Sequence, residues 1–288
     1  MNFLEQTGLR PFEPESDAQE FVDVLSLAAV RLRMVFETER ECVILAIGSG
    51  CFVKIGEKAY LLTALHNLTG KEPDTGKYKH SKGGGPNLVV MDGAFGTVVE
   101  KLYTGENCQY NNSPRFYQHS EGPTVDVTLL PVEFPERATC YDELLLSDNL
   151  RVNAVPTAIS GLCYIIGFPQ GLAHYHRQKV LPIWKMAHIA SEPTLNFNEE
   201  PLFLVDAVTR PGLSGAPVVV HKQVKGQARE HRLLGIYVGR FVFKPDANVK
   251  KKGKKKKARP EIDPAEYLGI GRVIKTYVIR QIADENNL

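Results

Sequence analysis

No run of apolar residues along the chain approaches the roughly 20 positions that a membrane-spanning helix requires. The opening stretch, "MNFLEQTGLRPFEPESDAQEF", lacks the basic patch, apolar core and small-residue cleavage site of a secretory signal. A soluble, cytoplasmic protein with no membrane span is therefore expected. Cysteine is scarce as well: Cys42, Cys51, Cys108, Cys140 and Cys163 are odd in number, widely scattered and include no C-x-x-C pair. That speaks against a disulfide framework and the usual zinc and redox motifs, and leaves reduced, mostly buried thiols as the expectation. No internal repeat of fixed period is present either, which excludes a solenoid.

What is present is enough apolar material, 43% of 288 residues, to bury a substantial core in one large all-β domain or two small ones. The formal charge of +2 is local. Seven of the 35 basic residues lie between Lys250 and Lys257, and the other 28 face 33 acidic ones, so the rest of the chain is net negative. The stretch "NVKKKGKKKKARP" (248–260) reads as a solvated insertion between two strands. Its clustered cations also offer a site for nucleic acid, anionic lipid or another polyanion.

After a tail at 1–16, "DAQEFVDVLSLAAVRLRMVF" (17–36) places Phe21, Val22, Leu25, Ala28, Ala29 and Leu32 at helical spacing and predicts an N-terminal helix. From residue 41 the pattern changes to short segments rich in β-branched and aromatic residues, such as "GCFVKIG", "KAYLLTAL", "DVTLLPV", "CYIIGF", "LFLVDAV", "APVVV" and "LGIGRVI". Glycine, proline and asparagine turns separate them, and no helices intervene. The fold class is all-β, a sandwich or barrels, closed by a C-terminal helix at "TYVIRQIADEN".

One serine stands out. "TRPGLSGAPVVV" (209–220) sets Ser214 between glycines at the lip of a strand. Ala216 replaces the second glycine of a G-x-S-x-G elbow, and strands do not alternate with helices, so an α/β-hydrolase is excluded. The order Asp, His, Ser fails too, because only Asp17 and Asp23 precede the first histidine and both fall in the predicted helix. The order His, Asp, Ser has good candidates. "YLLTALHNLTG" (60–70) ends an apolar strand at His66, and "PTVDVTLLPV" (123–132) carries one charge, Asp126, at the head of an apolar run. A carboxylate there needs a partner, and an imidazole N–H supplies one. Each residue alone has an ordinary structural reading as a strand-end or turn residue. Their joint occurrence in one order, each at a strand end, points to a catalytic set. "AHYH" (173–176) places His174 and His176 on one face of a strand, but no third ligand is identifiable, so neither a metal nor a cofactor is expected.

"GSGCFV" followed by "LLTALH", "VDVTLL", "PGLSGAPVV" and "LLGIYVG" resembles the successive signatures of the chymotrypsin-like (trypsin-like) serine peptidases. The disulfide-free bacterial branch and the HtrA-type peptidase domain resemble it more than the secreted digestive enzymes do. The resemblance spans about residues 41–285 and implies a peptidase domain at 41–288 of two packed six-stranded β-barrels, with the site in the crevice between them. It implies His66 as base, Asp126 as its orienter, Ser214 as nucleophile, and the N–H groups of Gly212 and Ser214 as an oxyanion hole. It further implies that Val208 and Thr209 line the primary specificity pocket, and that Tyr237, Val238 and Gly239 pair with the backbone of a protein or peptide substrate. The chain departs from the family at three points. Leu213 replaces the aspartate or asparagine before the serine, Asn67 stands where secreted members carry a cysteine, and Val208 replaces trypsin's pocket aspartate. A small or medium uncharged residue is therefore expected before the cleaved bond. With Leu213 no buried ammonium can order the oxyanion loop, so packing or a bound partner must do it. The rival expectation is an inactive member of the fold serving as a binding module.

Overall fold

The fold is seen in a computed structural model that describes residues 22–80, 84–105, 112–135, 138–141, 157–222, 230–241 and 268–288. The tail at 1–16, Cys108 and the lysine run lie outside the described residues. The helix expected over 17–36 is short: α1 spans Val24–Ala28, with the Asp23 carboxylate accepting from the Leu25 N–H at 3.0 Å, and Ala29–Glu37 is a strand, β1. Helical spacing of the apolar positions is real, but Val30, Leu32 and Met34 also alternate and enter the core of the first sheet. Pairing on both sides, with β2 (Cys42–Ile55) and β4 (Leu88–Gly93), satisfies the strand's backbone and outweighs local propensity.

The N-terminal half continues through β3 (Lys58–Thr63), β5 (Gly96–Lys101), β6 (Tyr117–Gln118) and β7 (Thr128–Pro131) into an antiparallel seven-stranded sheet of order β5-β4-β1-β2-β3-β7-β6. Its edges meet through an irregular hairpin in which Arg115 N–H donates to Leu102 C=O and Thr104 N–H to Ser113 C=O. The C-terminal half is a closed barrel of β8 (Leu162–Gly167), β11 (Ile183–Ile189), β12 (Leu202–Asp206), β13 (Ala216–Lys222), β14 (Glu230–Arg240) and β15 (Ile270–Lys275). A separate hairpin, β9 (His174–His176) and β10 (Lys179–Leu181), projects from it. Strand β11 escapes sequence reading because Lys185 and His188 interrupt its apolar run, and only Ala187 and Ile189 are buried.

Three cores follow from the period-two alternation of side chains. In β3, Leu61 faces the core of the first sheet while Tyr60 and Leu62 face the interface between the halves. In β13, Ala216, Val218 and Val220 fill the barrel and Val219 faces the interface. Such strands are buried on both faces, which is why they read as nearly continuous apolar runs. The helix after β3 is α2 (Leu65–Thr69), and the closing helix is α3 (Tyr277–Glu285). α3 presses Val278, Ile279, Ile282 and Ala283 against the interface core.

Polar ties hold the periphery. Buried Asp92 accepts from the guanidinium groups of Arg31 and Arg33 and from the Thr97 hydroxyl at 2.8–3.1 Å. Arg31 also donates to the Tyr175 hydroxyl, so the β9–β10 hairpin is tied to the first sheet. Replacing Asp92 by Ala removes the carboxylate that two partly buried guanidinium groups share and should lower the unfolding free energy by about 3–5 kcal/mol, read from urea denaturation.

At the far end, the Ser120 hydroxyl and N–H both donate to Glu285 at 2.8 Å. These bonds, the hydroxyl's first, hold the Glu285 carboxyl below its ordinary value, against the opposing effect of desolvation. A depressed carboxyl contributes stability above its unfolded pKa and loses it as pH falls through the folded one. The difference in Tm between the wild type and Glu285→Gln should therefore be full above about pH 5. It should close as pH falls below the ordinary value of 4.5.

Candidate active site

Strand β3 hands the chain to α2, where Leu65 and Leu68 anchor the helix in the core of the first sheet. Gly70, at φ 67°, closes the turn by donating its N–H to the His66 carbonyl at 3.0 Å. Asp126 follows the 3₁₀ turn Gly122–Thr124 and sits between Val125 and Val127, both buried in the interface core. Its Oδ2 lies 2.6 Å from His66 Nδ1, and its Oδ1 accepts the His66 backbone N–H at 2.9 Å. Both residues are buried. The carboxylate thus grips ring and backbone together, and a neutral imidazole that donates from Nδ1 leaves Nε2 free to accept a proton.

Ser214 lies half-buried on the loop that leads into β13. A trans, planar peptide points its C=O and its N–H in opposite directions, so fixing one fixes the other. The Pro211 carbonyl accepts from Gln170 N–H at 2.6 Å, which orients the Gly212 N–H. The Leu213 carbonyl accepts from Ala216 N–H at 2.9 Å, which orients the Ser214 N–H. The Gly212 carbonyl accepts from the Ser49 hydroxyl at 2.7 Å. Among the described residues the N–H groups of Gly212 and Ser214 have no acceptor, and no hydrogen bond joins the Ser214 hydroxyl to His66. Gly212 stands at φ 97°, and a Cβ there would lie 2.5 Å from the Phe168 carbonyl oxygen, so only glycine fits. Leu213 is fully buried in the barrel core, where it anchors the loop by packing.

The remaining expected positions divide. Val208 is 59% exposed and does not form a buried pocket floor. Its neighbour Thr209 is buried and shares a 2.6 Å hydrogen bond with the Tyr237 hydroxyl. Burial pushes that phenol up to about 12, against the opposing effect of the Thr209 bond. Gly239 and Arg240 run past the start of β13, which begins opposite Tyr237, and pair with β15, while Val238 falls at a register shift between the strands. Val238 borders a cavity of about 370 Å³ also lined by Asp126, Thr124, Arg272, Glu199 and Glu200. His174 and His176 stack edge to face at 6.2 Å, and no group of three or more potential metal ligands occurs among the described residues.

Sequence reading missed Ser49 and Gln170. Ser49 lies between glycines in "GSGCFV", the one sign of a crowded backbone there. Gln170, at φ 52°, carries no sign of its role in its side chain, because it acts through its N–H.

No family model and no curated protein matches the chain. Among solved structures it is similar to a thermostable serine protease, AL20, from an extremophilic microorganism, with a TM-score of 0.45 and 11% identity over 92% of this chain and 98% of that one. It is also similar to the protease Anisep from Arthrobacter nicotinovorans, with a TM-score of 0.43 and 11% identity over 91% and 96% of the two chains.

Leu213→Ala empties a fully buried site behind the loop. It should cost about 2–5 kcal/mol in urea denaturation.

Proposed function

We propose that the chain is an intracellular serine endopeptidase in which the seven-stranded sheet, in place of the six-stranded first barrel expected from sequence, packs with the closed six-stranded barrel as a double-barrel unit, hydrolysing peptide bonds through an acyl-enzyme. The observation that carries the reading is the pairing of the buried His66–Asp126 contact with two acceptor-free N–H groups, at Gly212 and Ser214, on the loop that bears the serine. Ser214 Oγ attacks the substrate carbonyl carbon while His66 Nε2 takes its proton. Asp126 holds the imidazole in the tautomer that leaves Nε2 free and stabilises the imidazolium. The oxyanion that forms accepts from the Gly212 and Ser214 N–H groups, each such donor being worth about 3 kcal/mol. His66 then protonates the leaving amine, and water releases the acyl group by the same steps in reverse. The Ser214–His66 bond tightens in the substrate complex, since catalytic hydrogen bonds of free enzymes are often loose.

The substrate lies as an added strand against the backbone of Tyr237, Val238 and Gly239, where β14 runs past the start of β13. Thr209 and Tyr237, whose hydroxyls satisfy each other, offer no counter-charge, which favours an uncharged residue of small to medium size before the cleaved bond.

A fluorophosphonate probe should label Ser214 in the wild type, and neither Ser214→Ala nor His66→Ala should be labelled. Asp126→Asn should keep the fold and lose roughly 10⁴-fold in rate. Wild-type labelling no greater than that of Ser214→Ala would sink the peptidase reading and leave the binding module.

A further inference from the structure

Resting on the peptidase reading, we propose that Asn67 and Ser49 are positioning residues that lock the nucleophile's loop to the element carrying the base. The Ser214 carbonyl accepts two donors from the other half of the molecule, Ser49 N–H at 2.9 Å and Asn67 Nδ2 at 2.8 Å. Asn67 is the next residue after His66, on the same helical turn. One rigid unit therefore carries the imidazole and also holds the backbone of the residue it must deprotonate.

The clamp is itself held in place. Asn67 Nδ2 also donates to Thr63 Oγ1 at 3.0 Å, and that hydroxyl donates to the Ser49 carbonyl at 2.7 Å. The amide lies against Gly48, where a Cβ would come within 2.6 Å of it, so there is little room for the side chain to swing away. Ser49 is fully buried, and its hydroxyl accepts Phe168 N–H at 2.9 Å while donating to the Gly212 carbonyl at 2.7 Å. Two residues thus fix the carbonyls on either side of Leu213, and with them the approach of Ser214 to His66.

The test uses the full chain with Asn67→Ala, Ser49→Ala and the near-isosteric Asn67→Asp, which turns the donating NH₂ into an acceptor facing the Ser214 carbonyl. Displacing the nucleophile should lower kcat and the rate of fluorophosphonate labelling by about 10–100-fold. KM should stay within about 2-fold, because ground-state binding along β14 is untouched. In the two alanine variants the pH profile of kcat/KM should keep its wild-type midpoint, since the His66–Asp126 pair remains whole and no charge is added beside it, which a general loss of structure would not reproduce. Should Ser49→Ala fail to fold, the two Asn67 variants carry the test. Labelling within about 2-fold of wild type in folded variants overturns the proposal and leaves the peptidase standing. A displaced pH midpoint in Asn67→Ala or Ser49→Ala also overturns it, by showing that the residues act through the base. Wild-type protein no more reactive than Ser214→Ala overturns both readings, and that result is read without any Asn67 or Ser49 variant.

Discussion

The close approach of two backbones at Gly215 is the constraint on which the rest of the molecule depends. At φ 89°, its α-carbon sits so near the Ser49 carbonyl and the Thr63 hydroxyl that any Cβ would overlap them. That approach brings the sheet and the barrel close enough for Ser49 and Asn67 to reach the carbonyls of Gly212 and Ser214. The interface core on either side, from Cys51 and Leu62 to Ile166 and Val219, supplies the apolar burial that keeps the halves together. The hydrogen bonds at the joint add little net stability each, but leaving any of these buried groups unpaired would be costly.

The order of the loop around Leu213 rests on neutral interactions. A buried charge at residue 213 would need an ion partner, whereas leucine needs only a cavity of its own shape, and the barrel core provides it. With its four peptide planes held by Gln170, Ser49, Ala216 and Tyr237 partners, the loop leaves two N–H groups without acceptors among the described residues. In the proposed reaction, preorganisation of this kind would place dipoles where charge develops and avoid their reorganisation.

Charge is used instead at the periphery. Asp92 gathers Arg31 and Arg33, and through Tyr175 it ties the β9–β10 hairpin to the first sheet. That hairpin begins three residues after Gly171, beside the turn whose Gln170 N–H orients the Pro211 peptide. A surface tie and a buried donor are thus linked through one short stretch of chain.

The strands and the candidate residues were legible because their signals are local. Alternation in β2, β3 and β13, the apolar run after Asp126 and the glycines around Ser214 follow from what each segment must bury or bend. Residues 29–37 were misread as helix because Leu25, Ala28, Ala29 and Leu32 fit a helical period, while the neighbours that make them a strand, β2 and β4, are other parts of the chain. Val208 was placed by its distance from Ser214 along the sequence, yet its exposure depends on how the loop turns in space. By itself the sequence determined a β-rich chain with His66, Asp126 and Ser214 at element ends, because period and turn chemistry act over a few residues. Tertiary structure alone decided that Asp126 grips His66 twice, that Leu213 enters the barrel, and that Asn67 and Ser49 reach the Ser214 loop. These are contacts between residues 60 to 165 positions apart, and their geometry is set by how sheet and barrel fit together.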